Sequence, residues 1–326
     1  MILITGNVGY IGSHVTKALL NEGIKSVGID NLQTGSLSNN VNICRICDIR
    51  DKDKLNETFE TYKPSVVFHL AALTSVPESM ENPEDYIETN YQGTVNLIEC
   101  MKEHNCNKLV FSSTASVYEQ SKKAVVESDT LQPLNVYAKT KLDAEKYIKD
   151  QDWLNAVIFR YFNVIGFDDF YDKSKECNKT NIVPALIRSY INEEPFTVFG
   201  NKYYEVQRDN ELDHSCVRDY IDVRDIALAH IQALKYLETL EGKEVFNLGT
   251  KEGYTVLELI NAFEKANDIK INYTIADPRK GDPVCVVADN TKAKELLHWT
   301  PNYSLETSLK IKELEIIRNK RKQLSK

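Results

Sequence analysis

No stretch of this 326-residue chain is apolar over the twenty or so residues a membrane helix needs, so no membrane span is expected. It also lacks an excess of basic residues. With 40 Lys and Arg against 48 Asp and Glu the net charge is −8, and a nucleic-acid binder should instead carry a basic face. The chain opens without a basic stretch followed by a long apolar run, so no secretory signal is read and a cytoplasmic location is expected. Its seven cysteines, Cys44, Cys47, Cys100, Cys106, Cys177, Cys216 and Cys285, are scattered. Cys44 and Cys47 have metal-like spacing but no second pair, and they sit in a run that reads as a strand. Reduced thiols and no metal site are therefore expected. Neither an internal repeat nor a low-complexity linker is present, and none of the six histidines has paired-ligand spacing. His69, after an apolar strand, is read as a structural hydrogen-bonder.

What the chain does have is 42% hydrophobic residues and a clear opening signal. Ile2–Ile4 reads as a buried strand that breaks into Gly6, Gly9 and Gly12, and an amphipathic segment follows. Glycines at a strand-to-helix turn let a pyrophosphate approach the helix N terminus, where N–H groups and the helix dipole favour an anion. The next strand, Ser26–Ile29, ends in Asp30, where a carboxylate would meet the ribose hydroxyls of NAD and repel the 2′-phosphate of NADP.

Strand signals at Ile2–Thr5, Ser26–Asp30, Ile43–Cys47, Ser65–Leu70, Lys108–Ser113 and Ala156–Tyr161 alternate with helix signals. The helices are expected at Ile11–Asn21, Asp51–Thr61, Pro83–His104 and Val136–Lys149. This pattern predicts an α/β fold: a doubly wound, Rossmann-like parallel sheet covered on both faces. Ligands are expected at the carboxyl ends of its strands. After about Asn163 the rhythm changes. Helices are expected at Asn181–Asn192, Val223–Leu237, from Thr255 through Ala266, at Thr291–Leu297 and at Leu305–Arg318, with a strand at Ile269–Ile275. We divide the chain into an NAD-binding unit, 1–165, and a smaller C-terminal α/β substrate lobe, 166–326, with some elements threaded back into the first.

Two features carry chemistry. Leu109–Thr114 is an apolar strand ending in hydroxyls, and Tyr137 and Lys141 lie four apart on one helix face. A tyrosine is a poor base at its ordinary pKa of about 10, and lowering it to near 7 takes about 4 kcal/mol. A lysine at about 4 Å supplies energy of that order at intermediate dielectric, and a cationic nicotinamide would add to it.

The ordered set Gly6-x-x-Gly9-x-x-Gly12, Asp30, the hydroxyl-ended strand and Tyr137-x-x-x-Lys141 resembles the extended short-chain dehydrogenase/reductase superfamily. Cys47-Asp-Ile-Arg50, His69-Leu-Ala-Ala72, Phe159-Arg-Tyr-Phe-Asn163, Val217-Arg-Asp-Tyr-Ile221 and Arg279-Lys-Gly-Asp282 narrow the resemblance to the UDP-glucose 4-epimerase family, over Met1 to about Trp299. The resemblance implies that Gly6, Gly9, Tyr10, Ile11 and Gly12 hold the NAD pyrophosphate, Asp30 and Asn31 the adenosine ribose, and Asp48 and Ile49 the adenine. Leu70, Ala71, Ala72 and Asn90 would line the cofactor channel. Thr114 would hydrogen-bond the sugar and support Tyr137, the base and then the acid. Lys141 would grip the nicotinamide ribose and depress the tyrosine pKa. Tyr161 and Phe162 would pack near the nicotinamide ring. Asn163, Asn181, Arg218 and Arg279 would bind the nucleotide diphosphate, with Asp282 on the uridine ribose. Arginine forks suit a diphosphate.

The implied activity is an isomerase that interconverts UDP-glucose and UDP-galactose at C4 through a 4-keto intermediate, with NAD resident. A homodimer formed through Pro83–His104 and Val136–Lys149 is also implied. The chain departs from the family pattern at several positions. Asn7 stands for a glycine and is expected to keep the turn by tolerating a left-handed backbone. Thr74 replaces a lysine that touches the cofactor, which points to looser NAD. Glu119 replaces a glycine, and the 201–216 loop is longer. Val286, a small residue at the gate beside the sugar, is compatible with N-acetylated sugars. Rival readings remain. A 4,6-dehydratase would need Thr-Asp-Glu where Thr114-Ala115-Ser116 stands, so it is disfavoured. A UDP-glucuronate epimerase or decarboxylase stays open. So does a non-catalytic sensor of NAD or nucleotide sugars, although Tyr137 and Lys141 are both present.

Overall fold

A computed structural model of the chain describes residues 1–121, 123–171, 181–200, 215–278 and 283–324. Six strands of the first half, β1 (Ile2–Thr5), β2 (Ser26–Asp30), β3 (Cys44–Ile46), β4 (Val66–His69), β5 (Lys108–Thr114) and β6 (Asn155–Tyr161), form one parallel sheet. A seventh strand, Lys243–Leu248, arrives from the second half and pairs in parallel with β6. The order is Lys243–Leu248, β6, β5, β4, β1, β2, β3.

The strands are apolar throughout because both faces are covered. Ile2, Ile4, Val66, Phe68, Val110, Val157 and Phe159 face one buried layer, packed with Val15, Leu19 and Ile226 from two helices. Alternate residues Leu3, Val67, Leu109, Phe111, Ala156 and Ile158 face the other, packed with Phe59, Leu97, Met101 and Ile148. Period-two side chains with both sets buried are what a doubly wound sheet requires.

The smaller lobe pairs Val217–Asp222 with Gly253–Thr255, Cys285–Val286 and Asn163–Ile165, and Tyr273–Ala276 with Phe196–Phe199. Its own core gathers Val183, Leu186, Leu259, Phe263, Leu309 and Leu314. Thr255 and Glu258 form the expected capping box. Three expectations need correction. The strand expected over Ile269–Ile275 pairs only from Tyr273, because the Ile271 N–H is taken by the Glu264 carboxylate at 2.8 Å. The last helix is split into Leu305–Leu309 and Lys312–Leu324. There the Asn267 side chain binds both the Leu309 carbonyl and the Ile311 N–H, backbone groups a continuous helix would have used. Finally, Pro83–His104 is not one regular helix. It runs Pro83–Tyr86, then a π-helical stretch Ile87–Gln92, then Gly93–Glu103.

Candidate active site

In the sheet order β1 and β4 are neighbours, yet the chain leaves them in opposite directions, towards β2 and towards β5. Ligands bind at such a switch point, outside the carboxyl ends of the strands. A cavity of about 900 Å³ opens there, walled by the residues that follow β1, β2, β4, β5 and β6.

At the end of β1, Gly6 has φ +72°, and its N–H reaches the Ile29 carbonyl at 2.8 Å. The positive φ falls on Gly6 and not on Asn7, so the expectation of a left-handed Asn7 is corrected. Asn7 is buried under the turn against Gly28, where a Cβ would lie 1.9 Å from its side chain. Gly9 precedes the helix Tyr10–Asn21 with no side chain capping that end, which faces the cavity. A Cβ on Gly12 would lie 1.9 Å from the Gly6 carbonyl oxygen, so the helix can seat on the turn with glycine there.

Asp30 ends β2, is buried, and accepts the Leu32 N–H at 2.8 Å. Burial raises its pKa, while N–H groups of Leu32 and Val8 pull the other way. Asn31 and Ile49 line the same wall. Asp48 does not. Its carboxylate takes both Arg50 Nε (2.9 Å) and Nη2 (2.7 Å) and the Asn31 amide (2.8 Å), and the Arg50 hydrogen bonds hold its pKa far below the usual carboxylate range. Asn90 is also off the wall. It is buried with its side chain committed to the Leu73 N–H (2.8 Å), the Leu73 carbonyl (2.9 Å) and Thr140 (3.2 Å), so it shapes the channel through Leu73.

Leu70, Ala71 and Ala72 follow β4 and line the cavity. Thr5 Oγ1 accepts the Leu70 and Ala71 N–H groups at 3.2 and 3.0 Å, and therefore donates to His69 Nδ1 at 2.7 Å. Thr94 donates to the Asn90 carbonyl, so His69 Nε2–H donates to Thr94 at 2.9 Å. His69 is thus a neutral structural link, its pKa lowered by burial to about 3.

Thr114 ends β5 and is hydrogen-bonded to Tyr137, which enters from the helix Val136–Lys149. Asn135 caps that helix, accepting the Ala138 N–H at 2.9 Å. Lys141, one turn on, is buried with Nζ 4.7 Å from the centre of the Phe111 ring. The electrostatics differ from expectation. Burial raises Tyr137 above the ordinary value of 10, and the Thr114 hydrogen bond is what opposes it. Burial lowers Lys141 to about 7, with Glu145 opposing. Both charged forms lose water in the same apolar pocket, so the lysine gives up its own charge more readily than it depresses the phenol.

Tyr161 and Phe162 follow at the end of β6. His230 Nδ1–H donates to the Ile226 carbonyl at 2.9 Å, so the Tyr161 hydroxyl donates to His230 Nε2 at 3.0 Å. Asn163, Asn181, Arg218 and Val286 line the lobe side of the cavity. Arg218 lies on the strand Val217–Asp222, which buried Asp219 ties to the Thr250, Lys251 and Ala288 N–H groups at 2.7, 3.0 and 3.1 Å. Arg279, Asp282 and positions 201–214 lie outside the described residues. Thr89, Cys216 and the short helix Val76–Glu81 also border the cavity, and no motif in the sequence marked them; Tyr220, which borders it too, lies in the Val217–Ile221 motif, where the resemblance gives it no role. Among the described residues the cysteines are free and no cluster could hold a metal.

Residues 2–249 match the model of the NAD dependent epimerase/dehydratase family. The UDP-glucose 4-epimerase of Pisum sativum is 37% identical over 94% of this chain and 92% of its own length; that of Lactobacillus helveticus is 36% identical over 93% and 92%. Among solved structures, the Bifidobacterium longum UDP-glucose 4-epimerase in complex with NAD+ and UDP superposes with a TM-score of 0.89. It is 30% identical and covers 98% of both chains. The Campylobacter jejuni UDP-Glc/GlcNAc 4-epimerase gives a TM-score of 0.80 at 32% identity, covering 98% of this chain and 99% of its own. With the glycine turn, the buried Asp30 and the Tyr137–Lys141 helix around one cavity, this chain belongs to the NAD dependent epimerase/dehydratase family, among its UDP-glucose 4-epimerases.

Proposed function

We propose that the protein inverts C4 of UDP-hexoses, interconverting UDP-glucose and UDP-galactose, with NAD as its resident cofactor. The observation that carries this reading is the placement of Tyr137, hydrogen-bonded to Thr114, on the same cavity wall system as the glycine turn and Arg218. The residues present fit a dinucleotide: an uncapped helix N terminus behind Gly9, a carboxylate at the end of β2, and the buried, unpartnered Thr89 hydroxyl all border the cavity. Residues 1–165 are assigned to the cofactor and 166–326 to the nucleotide sugar.

When bound, NAD supplies a reversible hydride acceptor whose cationic ring favours an anion beside it. The chain's own residues handle the proton. Tyr137 takes it from the C4 hydroxyl as that carbon is oxidised and returns it after the 4-keto sugar has presented its other face. Thr114 donates to the phenolate and holds it at the end of β5. Lys141, poised near neutrality by burial, supplies positive charge when protonated. Arg218, with Arg279, grips the diphosphate, which leaves the sugar free to turn. Val286 is half-buried at the sugar end, a small side chain that leaves room for an N-acetyl group.

The same reading places the protein in the cytoplasm as a homodimer built on Pro83–His104 and Val136–Lys149. Exposed Ile87 and the edge-to-face pair Tyr91–Tyr147 on these helices support it. The test is incubation with UDP-galactose and with UDP-N-acetylgalactosamine, followed by separation of the epimers. Conversion of both is expected. An enzyme that makes no UDP-glucose from UDP-galactose would end the reading, and conversion of that sugar alone would remove the N-acetyl extension.

A further inference from the structure

Two side chains one turn apart on the helix Tyr10–Asn21 reach across to a single segment of the smaller lobe. The Tyr10 hydroxyl donates to the Gly166 carbonyl at 2.5 Å, and His14 Nε2 accepts the Asp168 N–H at 3.1 Å. Residues four apart share a helix face, so both bonds act on the same side. His14 has the tautomer this needs, because its Nδ1–H donates to the Tyr10 carbonyl at 2.8 Å and leaves Nε2 as an acceptor. Aromatic rings fill the space between the bonds. Between ring centres, Tyr10 lies 5.4 Å from Phe167 and 5.5 Å from Tyr171, and His14 lies 5.0 Å from Phe170 and 5.2 Å from Tyr171.

The point that is gripped is itself fixed. The strand Asn163–Ile165 pairs with Val217–Asp222 and runs into Gly166, whose φ is +83°. A Cβ on Gly166 would come within 2.5 Å of the Asp222 carboxylate, which takes the Arg224 N–H, Nε and Nη2 at 2.8, 2.8 and 2.7 Å. The smaller lobe thus presents the Gly166 carbonyl from a rigid turn. On the other side, Tyr10 opens the helix whose uncapped N terminus faces the cavity, the end where an anion would be held. Tyr10, Phe167 and Tyr171 all border the cavity, whereas His14 does not. For packing alone a phenylalanine would serve at position 10; the hydroxyl is what commits the segment.

We propose that Tyr10 and His14 are positioning residues that clasp the strap 166–171 onto the first turn of the dinucleotide helix, and that this clasp sets how slowly bound NAD leaves. With both bonds made, the rings of Phe167 and Tyr171 close that end of the cavity, and the cofactor escapes when the strap lets go. The proposal rests on NAD as the resident cofactor.

Two substitutions open the clasp from different ends. Tyr10→Phe keeps the ring and removes the donor. His14→Leu removes the acceptor at a residue that does not touch the cavity. Each protein, and the double variant, is loaded with radiolabelled NAD, chased with unlabelled NAD and sampled for bound label, with UDP titration by calorimetry as a control. Each single variant should release NAD about five- to tenfold faster, the effect of one lost hydrogen bond, and the double variant faster than either, with UDP binding unchanged. The His14→Leu result separates a clasp from a direct contact between Tyr10 and the cofactor, since it can act only through the strap. Wild-type release in His14→Leu would overturn the proposal, and so would a parallel weakening of UDP binding, which would mark a general loosening of the fold. A wild type that binds no NAD would bring down the cofactor reading itself. That outcome is distinct from NAD held equally long in all four proteins, which would overturn the clasp alone.

Discussion

Arg160 and Glu145 meet in a doubly hydrogen-bonded pair with no access to water, Nε to Oε1 at 3.0 Å and Nη2 to Oε2 at 2.7 Å. Ser113 donates to the same carboxylate at 2.5 Å, and Arg160 also reaches Tyr118 (2.9 Å) and the Glu127 carbonyl (3.1 Å). The pair ties the helix that carries Tyr137 and Lys141 to β5 just before Thr114, and to β6 just before Tyr161. The helix that carries Tyr137 and Lys141 is thus held from behind by one ionic joint.

Removing half of that joint should therefore be expensive. Arg160→Met leaves the buried Glu145 carboxylate with only the half-exposed Lys149 at 3.6 Å as a counter-ion, and we expect a loss of about 3–5 kcal/mol in urea unfolding. The double variant Glu145→Leu/Arg160→Met removes both charges and should recover much of it. A double variant as unstable as the sum of the two single ones would show that the groups do not act as a pair.

The phenol and the ammonium in the cavity are separable by experiment. Tyr137→Phe should lower turnover about 10²- to 10⁴-fold, the usual contribution of a positioned acid–base group, while UDP binds as before. Undiminished turnover would exclude Tyr137 as the base.

Lys141→Met should also lower activity yet raise stability. The native pKa of Lys141 is about 7 against 10.5 for a free lysine, so the folded state binds fewer protons than the unfolded one between those values. Its burial penalty is therefore full below pH 7 and fades as pH climbs towards 10.5. The stability gain of the variant over the wild type should follow that profile in unfolding experiments from pH 6 to 10. A gain that does not shrink with pH would mean that Lys141 is not stored as a buried cation.

Much of this architecture can be read from residue order because both faces of the sheet are buried. Runs such as Ile2-Leu3-Ile4 and Leu109-Val-Phe111 have no polar side and no other place to go. The seventh strand, Lys243–Leu248, is different: its first three residues are half-buried, and its apolar run is too short to separate strand from helix. The π-helical turn is hidden for another reason. One extra residue within Pro83–His104 barely disturbs its apolar periodicity, so the unpartnered Thr89 hydroxyl has no signature in the pattern. The glycine turn, Asp30 and Tyr137–Lys141 are legible because spacing alone sets their geometry. The roles of Asp48 and Asn90 depend on which neighbour binds them, Arg50 and Leu73 respectively, and spacing carries no such information.

Three buried imidazoles give a pH prediction. Burial lowers His14 to about 4, His69 to about 3 and His230 to about 4, and each is locked in one tautomer by a backbone or threonine partner. None should titrate above pH 5 in an imidazole NMR series. Between their native values and 6.5 the unfolded chain binds more protons at these sites, so each withdraws stability as pH falls through that window, by about 1.4 kcal/mol per unit. Buried Asp30, Asp219 and Asp225, whose pKa values are raised, act in the opposite sense. A midpoint near 6.5 for any of the three histidines would contradict its assignment as a neutral structural link.

Two glycines offer a contrast between steric closeness and backbone conformation. A Cβ on Gly12 would lie 1.9 Å from the Gly6 carbonyl oxygen, 2.8 Å from its carbon and 3.0 Å from Asn7 Cα. All three are backbone atoms, so no side chain can swing away; the helix Tyr10–Asn21 must lift from the turn. Gly23, at the other end of that helix, has φ +69° and open space around its missing Cβ. Gly12→Ala should therefore lose more than about 2 kcal/mol of stability and weaken NAD at least about tenfold, since the helix N terminus moves relative to β1. Gly23→Ala should cost about 1–2 kcal/mol for the left-handed backbone and leave NAD affinity unchanged. If both variants bound NAD like the wild type, the N terminus of this helix would not be where the dinucleotide is held, whatever the turn looks like.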